Sequence, residues 1–211
     1  GLAKNSSLDR YYDGGSPTAL WAVRSLGIDP ANGKEVFLKK DGTYTYTYET
    51  KDEVQVGDTE PDLEGVIGTT LYYKGFSFSA HLRYSLGGDV FNEALYTKVE
   101  NISEDNLKYN QDKRALYDRW EKPGQHARFK GISLTETTMS SRFVQRSNFL
   151  KGESFSAGYD FPKEWIEKAG FSALRLQVNM NDVFRISSVK EERGIEYPFA
   201  RMVSASVSVT F

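Results

Sequence analysis

The sequence predicts an all-β protein, an antiparallel meander of long strands, and three observations carry that prediction. Apolar and polar residues alternate strictly in five separate segments. The connections between these segments are by turns short and long. No apolar run approaches the ~18–20 residues that a membrane-spanning helix requires.

A long polar stretch, residues 1–61, comes first and reads as a loop region. Residues 65–73 then place Ile67, Thr69, Leu71 and Tyr73 on one face. Lys74-Gly75 fits a tight hairpin turn, because glycine accepts positive φ without a Cβ penalty. In residues 76–86, FSFSAHLRYSL, one face carries Phe76, Phe78, Ala80, Leu82, Tyr84 and Leu86. Ser77, Ser79, His81, Arg83 and Ser85 fall on the other. A long connection over 88–150 follows.

Residues 154–161 alternate Phe155, Ala157, Tyr159 and Phe161 against Ser154, Ser156, Gly158 and Asp160. After a short link, PKEWIEKAG (162–170), residues 173–181 set Leu174, Leu176, Val178 and Met180 against Arg175, Gln177, Asn179 and Asn181. A longer link over 183–198 leads to residues 202–211, where Val203, Ala205, Val207, Val209 and Phe211 oppose Ser204, Ser206, Ser208 and Thr210. Segments of about 9–11 residues suit tilted strands that cross a bilayer, and long loops opposite short turns suit an outer-membrane barrel. On that parity the long loops are extracellular and the last residue is periplasmic.

A soluble antiparallel sandwich alternates too, so a soluble extracellular carbohydrate-binding β-sandwich is the competing expectation. Two details favour the barrel. Aromatics expected near strand ends, Phe76, Tyr84, Tyr159 and Phe161, would form interfacial girdles, and the alternation runs to the last residue.

Composition narrows the function classes. The formal net charge is −2 with 27% charged residues, so no basic field points to nucleic acid as a partner. There is no cysteine, which excludes a disulfide scaffold and a thiolate metal site. The first residues, GLAKNSSLDRYYDGG, lack the basic start and apolar core of a signal peptide. By itself that suits a soluble cytoplasmic protein, but a β-barrel also has no long apolar run.

No catalytic constellation is present, and an enzyme is not expected. His81 and His126 lie far apart with no metal-ligand spacing. Glu191-Glu192 sits between Lys190 and Arg193 as a solvated charge cluster. Gly14-Gly15 and Gly87-Gly88 read as turns, and no phosphate loop or other cofactor motif appears.

Longer segments carry a resemblance. RSLGIDP, GDTEPDLEG, LYDRWEKPG, SRFVQ and the run from NMNDVFRIS to ERGIEYPFAR occur in order across nearly the whole chain. Together they resemble the SusC-like family of Bacteroidetes TonB-dependent transporters. The resemblance implies that this chain is the C-terminal part of a 22-stranded outer-membrane β-barrel that imports glycans or other nutrients. It implies a SusD-like lipoprotein as partner, TonB engaged through an N-terminal plug that this chain lacks, and outer-membrane lipid around the strands. The last strand, ending in Val207, Val209 and Phe211, resembles the signal read by the barrel-assembly machinery.

Within that frame the candidate glycan-binding residues are loop aromatics: Tyr11, Tyr12, Trp21, Tyr117 and Trp120. Sugar rings stack on aromatic faces, and loops on a rigid scaffold commonly carry binding. The competing reading is that these rings only pack the loops. In LYDRWEKPG, spacing predicts a short helix ending before Pro123 with Leu116 and Trp120 on one side. Arg83 and Arg175 are expected on the lumen-facing side of the strands.

Overall fold

The computed structural model describes residues 8–133, 135–190 and 201–211. The chain divides into two compact units, one of Gly1–Pro61, Gly88–Arg146 and Val189–Ile195 and one of Asp62–Gly87, Ser147–Ser188 and Glu196–Phe211. They are called here the loop unit and the strand unit. The Glu191-Glu192 and Arg193 cluster and the ERGIEYPFA part of the last motif lie outside the described residues.

The loop unit contains a sheet where the sequence predicted loop. Strands β1 (Ala19–Ile28), β2 (Glu35–Leu38), β3 (Tyr44–Thr45) and β4 (Glu53–Asp58) form it in the order β3-β2-β1-β4. Irregular register explains why this sheet does not show as period two. β1 shifts against β4 between Leu20 and Trp21, and against β2 between Ser25 and Gly27. Each bulge flips the facing of later side chains, so the alternation is interrupted. The β1–β2 turn is fixed by Asp29, whose carboxylate accepts from the Ala31 backbone N–H at 2.8 Å and from the Asn32 amide at 3.0 Å.

Two apolar clusters close this unit. One joins Leu8, Leu20 and Ala22. The other gathers Leu95, Tyr96 and Val99 from the helical turn Leu95–Glu100 against Phe129 and Phe143. Asn92 starts that turn by accepting the Leu95 N–H at 2.9 Å, as a capping side chain does. Phe91, Tyr96 and Phe143 meet with ring centroids 5.2–6.0 Å apart, in tilted to edge-on geometry.

The short helix expected in LYDRWEKPG does not form. A single tight turn, Lys113–Ala115, is followed by Asp118 at φ +62, a conformation no helix interior accepts. Arg119 then bridges to Phe129 in parallel fashion, and Leu116 is left 72% exposed.

The strand unit holds the five expected strands in the expected meander. β5 (Leu63–Tyr73), β6 (Phe76–Phe91), β7 (Val144–Asp160), β8 (Ala173–Ser187) and β9 (Val203–Thr210) lie in the order β5-β6-β7-β8-β9. Lys74 (φ 46) and Gly75 (φ 85) both take positive φ, which makes the β5–β6 turn the type whose twist matches antiparallel strands.

Three of these strands outrun their predicted limits. The connection expected at 88–150 shortens, because β6 continues to Phe91 and β7 starts at Val144. The one expected at 183–198 shortens because β8 continues to Ser187. The cause in β8 is again a bulge. Register passes from Gly152↔Phe184 to Ser154↔Asn181, so β8 carries one residue more than β7 there, with Asp182 at φ +51. Alternation stops at Asn181 although the strand does not. Gly87-Gly88, expected as a turn, lies inside β6, and Tyr84 therefore sits within the strand rather than near its end.

Candidate functional site

The strand unit presents two chemically opposite faces. Antiparallel pairing sets like against like: Ile67 opposite Leu82, Leu71 opposite Phe78, Tyr159 opposite Leu176, Leu176 opposite Val207 and Val178 opposite Ala205. Ile67 and Val207 are each 62% exposed, and Leu71, Phe76 and Val178 are exposed too. A water-soluble sandwich would bury one face of such a sheet, and contiguous apolar exposure on this scale marks an interaction surface.

Aromatic rings collect where the short links lie. Tyr73 pairs with Phe76, whose ring lies 4.3 Å from that of Tyr159. Tyr159 is 4.9 Å from Phe161, and Phe171 is 5.5 Å from Phe211. Tyrosine and phenylalanine in a row at strand ends have the amphipathic character that suits a lipid–water boundary.

The polar residues of the same strands are tied together. Arg175 donates to Asp160 at 2.7 Å and to Ser77 at 3.0 Å, while Gln177 donates to Ser156 and Asn179. Arg83 meets Glu153 at 3.0 Å. His81 Nδ1 lies 3.2 Å from the Ser154 hydroxyl, and His126 is exposed. Among the described residues no group of three or more His, Asp or Glu side chains could hold a metal ion.

Sequence reasoning missed the most constrained polar group, a buried ion network in the loop unit. Arg142 donates to Glu100 at 2.7 Å and to Glu35 at 3.0 Å, and Ser140 donates to Glu35 at 2.6 Å. Thr137 donates to Glu100 at 3.1 Å. Burial alone would lower the Arg142 pKa, but the hydrogen bonds and charges of Glu100 and Glu35 outweigh it and hold the guanidinium charged. Arg119 is buried beside this network, and its guanidinium donates to the carbonyls of Ala115, Val99 and Lys130. Burial pushes its pKa down and also lowers that of Lys130. Tyr96, whose hydroxyl donates to the Thr137 carbonyl at 2.8 Å, is pushed up to about 12 by burial and then by Glu136 and Glu93. Arg119 belongs to LYDRWEKPG, Arg142 to SRFVQ. These motifs supply the two guanidinium groups of one unit's interior.

The candidate aromatics do not form a single cluster of known contacts. Tyr12 and Trp21 meet edge-on at 5.8 Å. Trp120 is a packing residue: its indole N–H donates to the Pro30 carbonyl at 2.9 Å and its ring covers Gly33. Gly33 has φ +71, and a Cβ there would overlap the Trp120 ring, so the motif RSLGIDP runs into a glycine turn that LYDRWEKPG covers. Tyr11 and Tyr117 are 77% and 65% exposed. Val207 and Val209 lie on β9, which is paired with β8 and ends the sheet order, and Phe211 follows it.

No helix among the described residues is long and apolar enough to cross a membrane, which says nothing of crossing by strands. No family model matches the chain. TonB-dependent receptor P3 of Formosa agariphila is 26% identical over 168 residues, covering 80% of this chain and 16% of the receptor. TonB-dependent receptor P39 of the same organism is 22% identical over 161 residues, covering 74% of this chain and 15% of the receptor. The chain therefore spans about a sixth of the length of the curated relatives it matches. In fold it is similar to the RagAB peptide importer in its open-open and closed-closed states. Both give a TM-score of 0.74 at 16% identity over 98% of this chain, and cover 24% and 25% of those chains. In sequence this chain is similar to TonB-dependent receptors and in fold to RagAB, as its motifs implied, and the resemblance to SusC-like TonB-dependent transporters is borne out.

Proposed function

We propose that this chain supplies wall strands and extracellular loop structure to a TonB-dependent transporter in a Gram-negative outer membrane. The observation that carries the reading is the five-stranded sheet whose exposed apolar face ends in an aromatic row while its opposite residues form a polar ladder. Lipid would cover the first and the barrel lumen would hold the second. In this reading the strands belong to the C-terminal part of a 22-stranded barrel. The loop unit is extracellular beneath a SusD-like lipoprotein, and TonB acts through an N-terminal plug of the longer protein. Val207, Val209 and Phe211 form the strand end offered to the barrel-assembly machinery, supported by the place of β9 at the edge of the sheet order.

The cargo is read as a glycan, taken up at the candidate loop aromatics Tyr11, Tyr12, Trp21, Tyr117 and Trp120, of which Tyr11, Tyr12 and Tyr117 are exposed. Peptide is the competing cargo, since the structural neighbours are peptide importers. An antibody against this chain should detect, in outer-membrane fractions, a band several times 23.9 kDa. A strain lacking the protein should lose TonB-dependent growth on a glycan while keeping growth on peptides. A soluble band near 23.9 kDa would overturn the transporter reading, and loss of peptide growth alone would overturn the glycan reading.

A further inference from the structure

The loop unit contains a cavity of about 290 Å³ that borders the buried ion network through Arg142 and is lined by none of the candidate aromatics. Its walls are Gly27, Ile28, Leu95, Phe129, Arg128 and Arg142, with Leu26 and Ala127 beside them. Ile28, Leu95 and Phe129 are buried apolar side chains that back the space. No Asp or Glu is among the lining residues, whereas Arg128 and Arg142 both are.

The backbone opens this space on one side. β1 shifts register between Ser25 and Gly27, and Gly27 takes φ +97 with its N–H held by the Ser25 hydroxyl at 3.1 Å. A Cβ at Gly27 would meet nothing within 4 Å. A glycine bulge facing open space in a strand is a place where a ligand can approach the backbone closely. Leu26, 56% exposed, adds an apolar lip next to it.

The two cations differ in what they can do. Arg142 is already flanked by Glu35 and Glu100, so its charge is compensated within the unit. Arg128 has a side chain 69% exposed and sits 3.8 Å from Asp118, the outer edge of ion-pair contact. Its guanidinium carbon lies 5.8 Å from the Phe129 ring centre, which places a positive charge at the rim of the apolar floor. A single weakly engaged guanidinium beside a small pocket backed by apolar side chains matches one negative charge on a compact apolar body. A dianion such as phosphate would be left under-compensated. At about 290 Å³ the space is at the small end of ligand pockets.

We propose that this cavity binds a monocarboxylate with a branched apolar body, the acid pairing with Arg128 in place of Asp118 and the hydrocarbon lying on Ile28, Leu95 and Phe129. A free acid and the carboxyl end of a leucine-terminated peptide share this chemistry. The site needs only the loop unit and does not depend on transport.

The test uses the whole protein purified from outer membranes in a neutral detergent. Saturation-transfer NMR and calorimetry would be run with 4-methylpentanoate, its uncharged amide, and a tripeptide ending in leucine. Binding of the acid or the peptide, with the amide at least about tenfold weaker, is expected, because a charge-assisted contact to guanidinium is lost in the amide. Arg128→Gln should weaken the acid by a similar factor, and Ala127→Trp, which fills the space, should abolish binding while Arg128→Gln protein remains folded by circular dichroism. The stronger of the two carboxylates identifies the source. Equal binding of acid and amide, binding unchanged in both variants, or no binding of either carboxylate at millimolar concentration would overturn the proposal.

Discussion

The loop unit and the strand unit are made of the same residue types and handle charge in opposite ways. In the loop unit Glu35, Glu100 and Arg119 are buried, Arg142 nearly so, and the apolar side chains close around them. In the strand unit Arg83, Arg175, Asp160 and Glu153 stay accessible, and it is the apolar residues of the sheet that stand exposed. The first unit has a core of its own. In the second, each large apolar residue of the sheet would gain about 1.5–3 kcal/mol on leaving water. The difference shows which unit has its own core and which needs a surrounding medium to supply one.

The largest effect should come from breaking the loop unit's interior. Arg142→Met leaves Glu35 and Glu100 buried without their cation, and should cost about 3–5 kcal/mol. Arg175→Met, whose partner Asp160 is solvent-accessible, should cost about 1 kcal/mol or less. Protease protection of the loop unit reads the first, and equal losses would erase the contrast between the units.

Next comes the apolar face. Val178→Arg, two residues further along β8 from the aromatic row than Leu176, should cost about 2–4 kcal/mol toward the bilayer midplane, whereas Arg83→Ala should cost far less. Urea unfolding from lipid vesicles measures both. A smaller loss is expected for Trp120→Phe, which keeps a ring over Gly33 but removes the bond to the Pro30 carbonyl. About 1 kcal/mol is expected, read from the unfolding midpoint.

The smallest effect concerns pH. Asp58 accepts hydrogen bonds from Ser16, then Thr18 and the Glu60 N–H, and these hold its carboxyl below the ordinary 3.8. A depressed folded pKa means its stabilisation is present above the ordinary value and is lost as pH falls through the lowered one. Asp58→Asn should lower the loop unit's stability slightly at neutral pH, where that contribution is present, and flatten the acid limb below pH ~4, read from unfolding midpoints across pH.

Much of the strand unit was legible because its side chains alternate without interruption. Ile67, Leu71, Phe78 and Leu176 fall on the expected face, and Lys74-Gly75 takes the expected turn. Legibility ended at the bulges. Beyond Asn181 in β8, and through β1 from Leu20 onward, one extra residue reverses the parity that the eye follows. The ion network was hidden for another reason. Glu35 and Arg142 are 107 residues apart, and neither lies in a periodic segment that could announce a partner. LYDRWEKPG and SRFVQ, two of the motifs that carry the resemblance, contain Arg119 and Arg142, but nothing in their spacing pointed to a buried network. The helix expected around Trp120 failed because local spacing took no account of Asp118 at positive φ or of the Arg119 side chain turning inward.

The central claim is that one face of the five-stranded sheet meets lipid and the other meets water. This chain has no cysteine, so a cysteine introduced into β8 meets no competing thiol within these 211 residues. Spin labels at Leu174, Leu176, Val178, Arg175, Gln177 and Asn179 in the membrane-embedded protein would report collision with oxygen, which favours lipid, and with a water-soluble nickel chelate. The account predicts a period of two along β8: Leu174, Leu176 and Val178 oxygen-rich and nickel-poor, Arg175, Gln177 and Asn179 the reverse. Nickel access without alternation along the strand would contradict it.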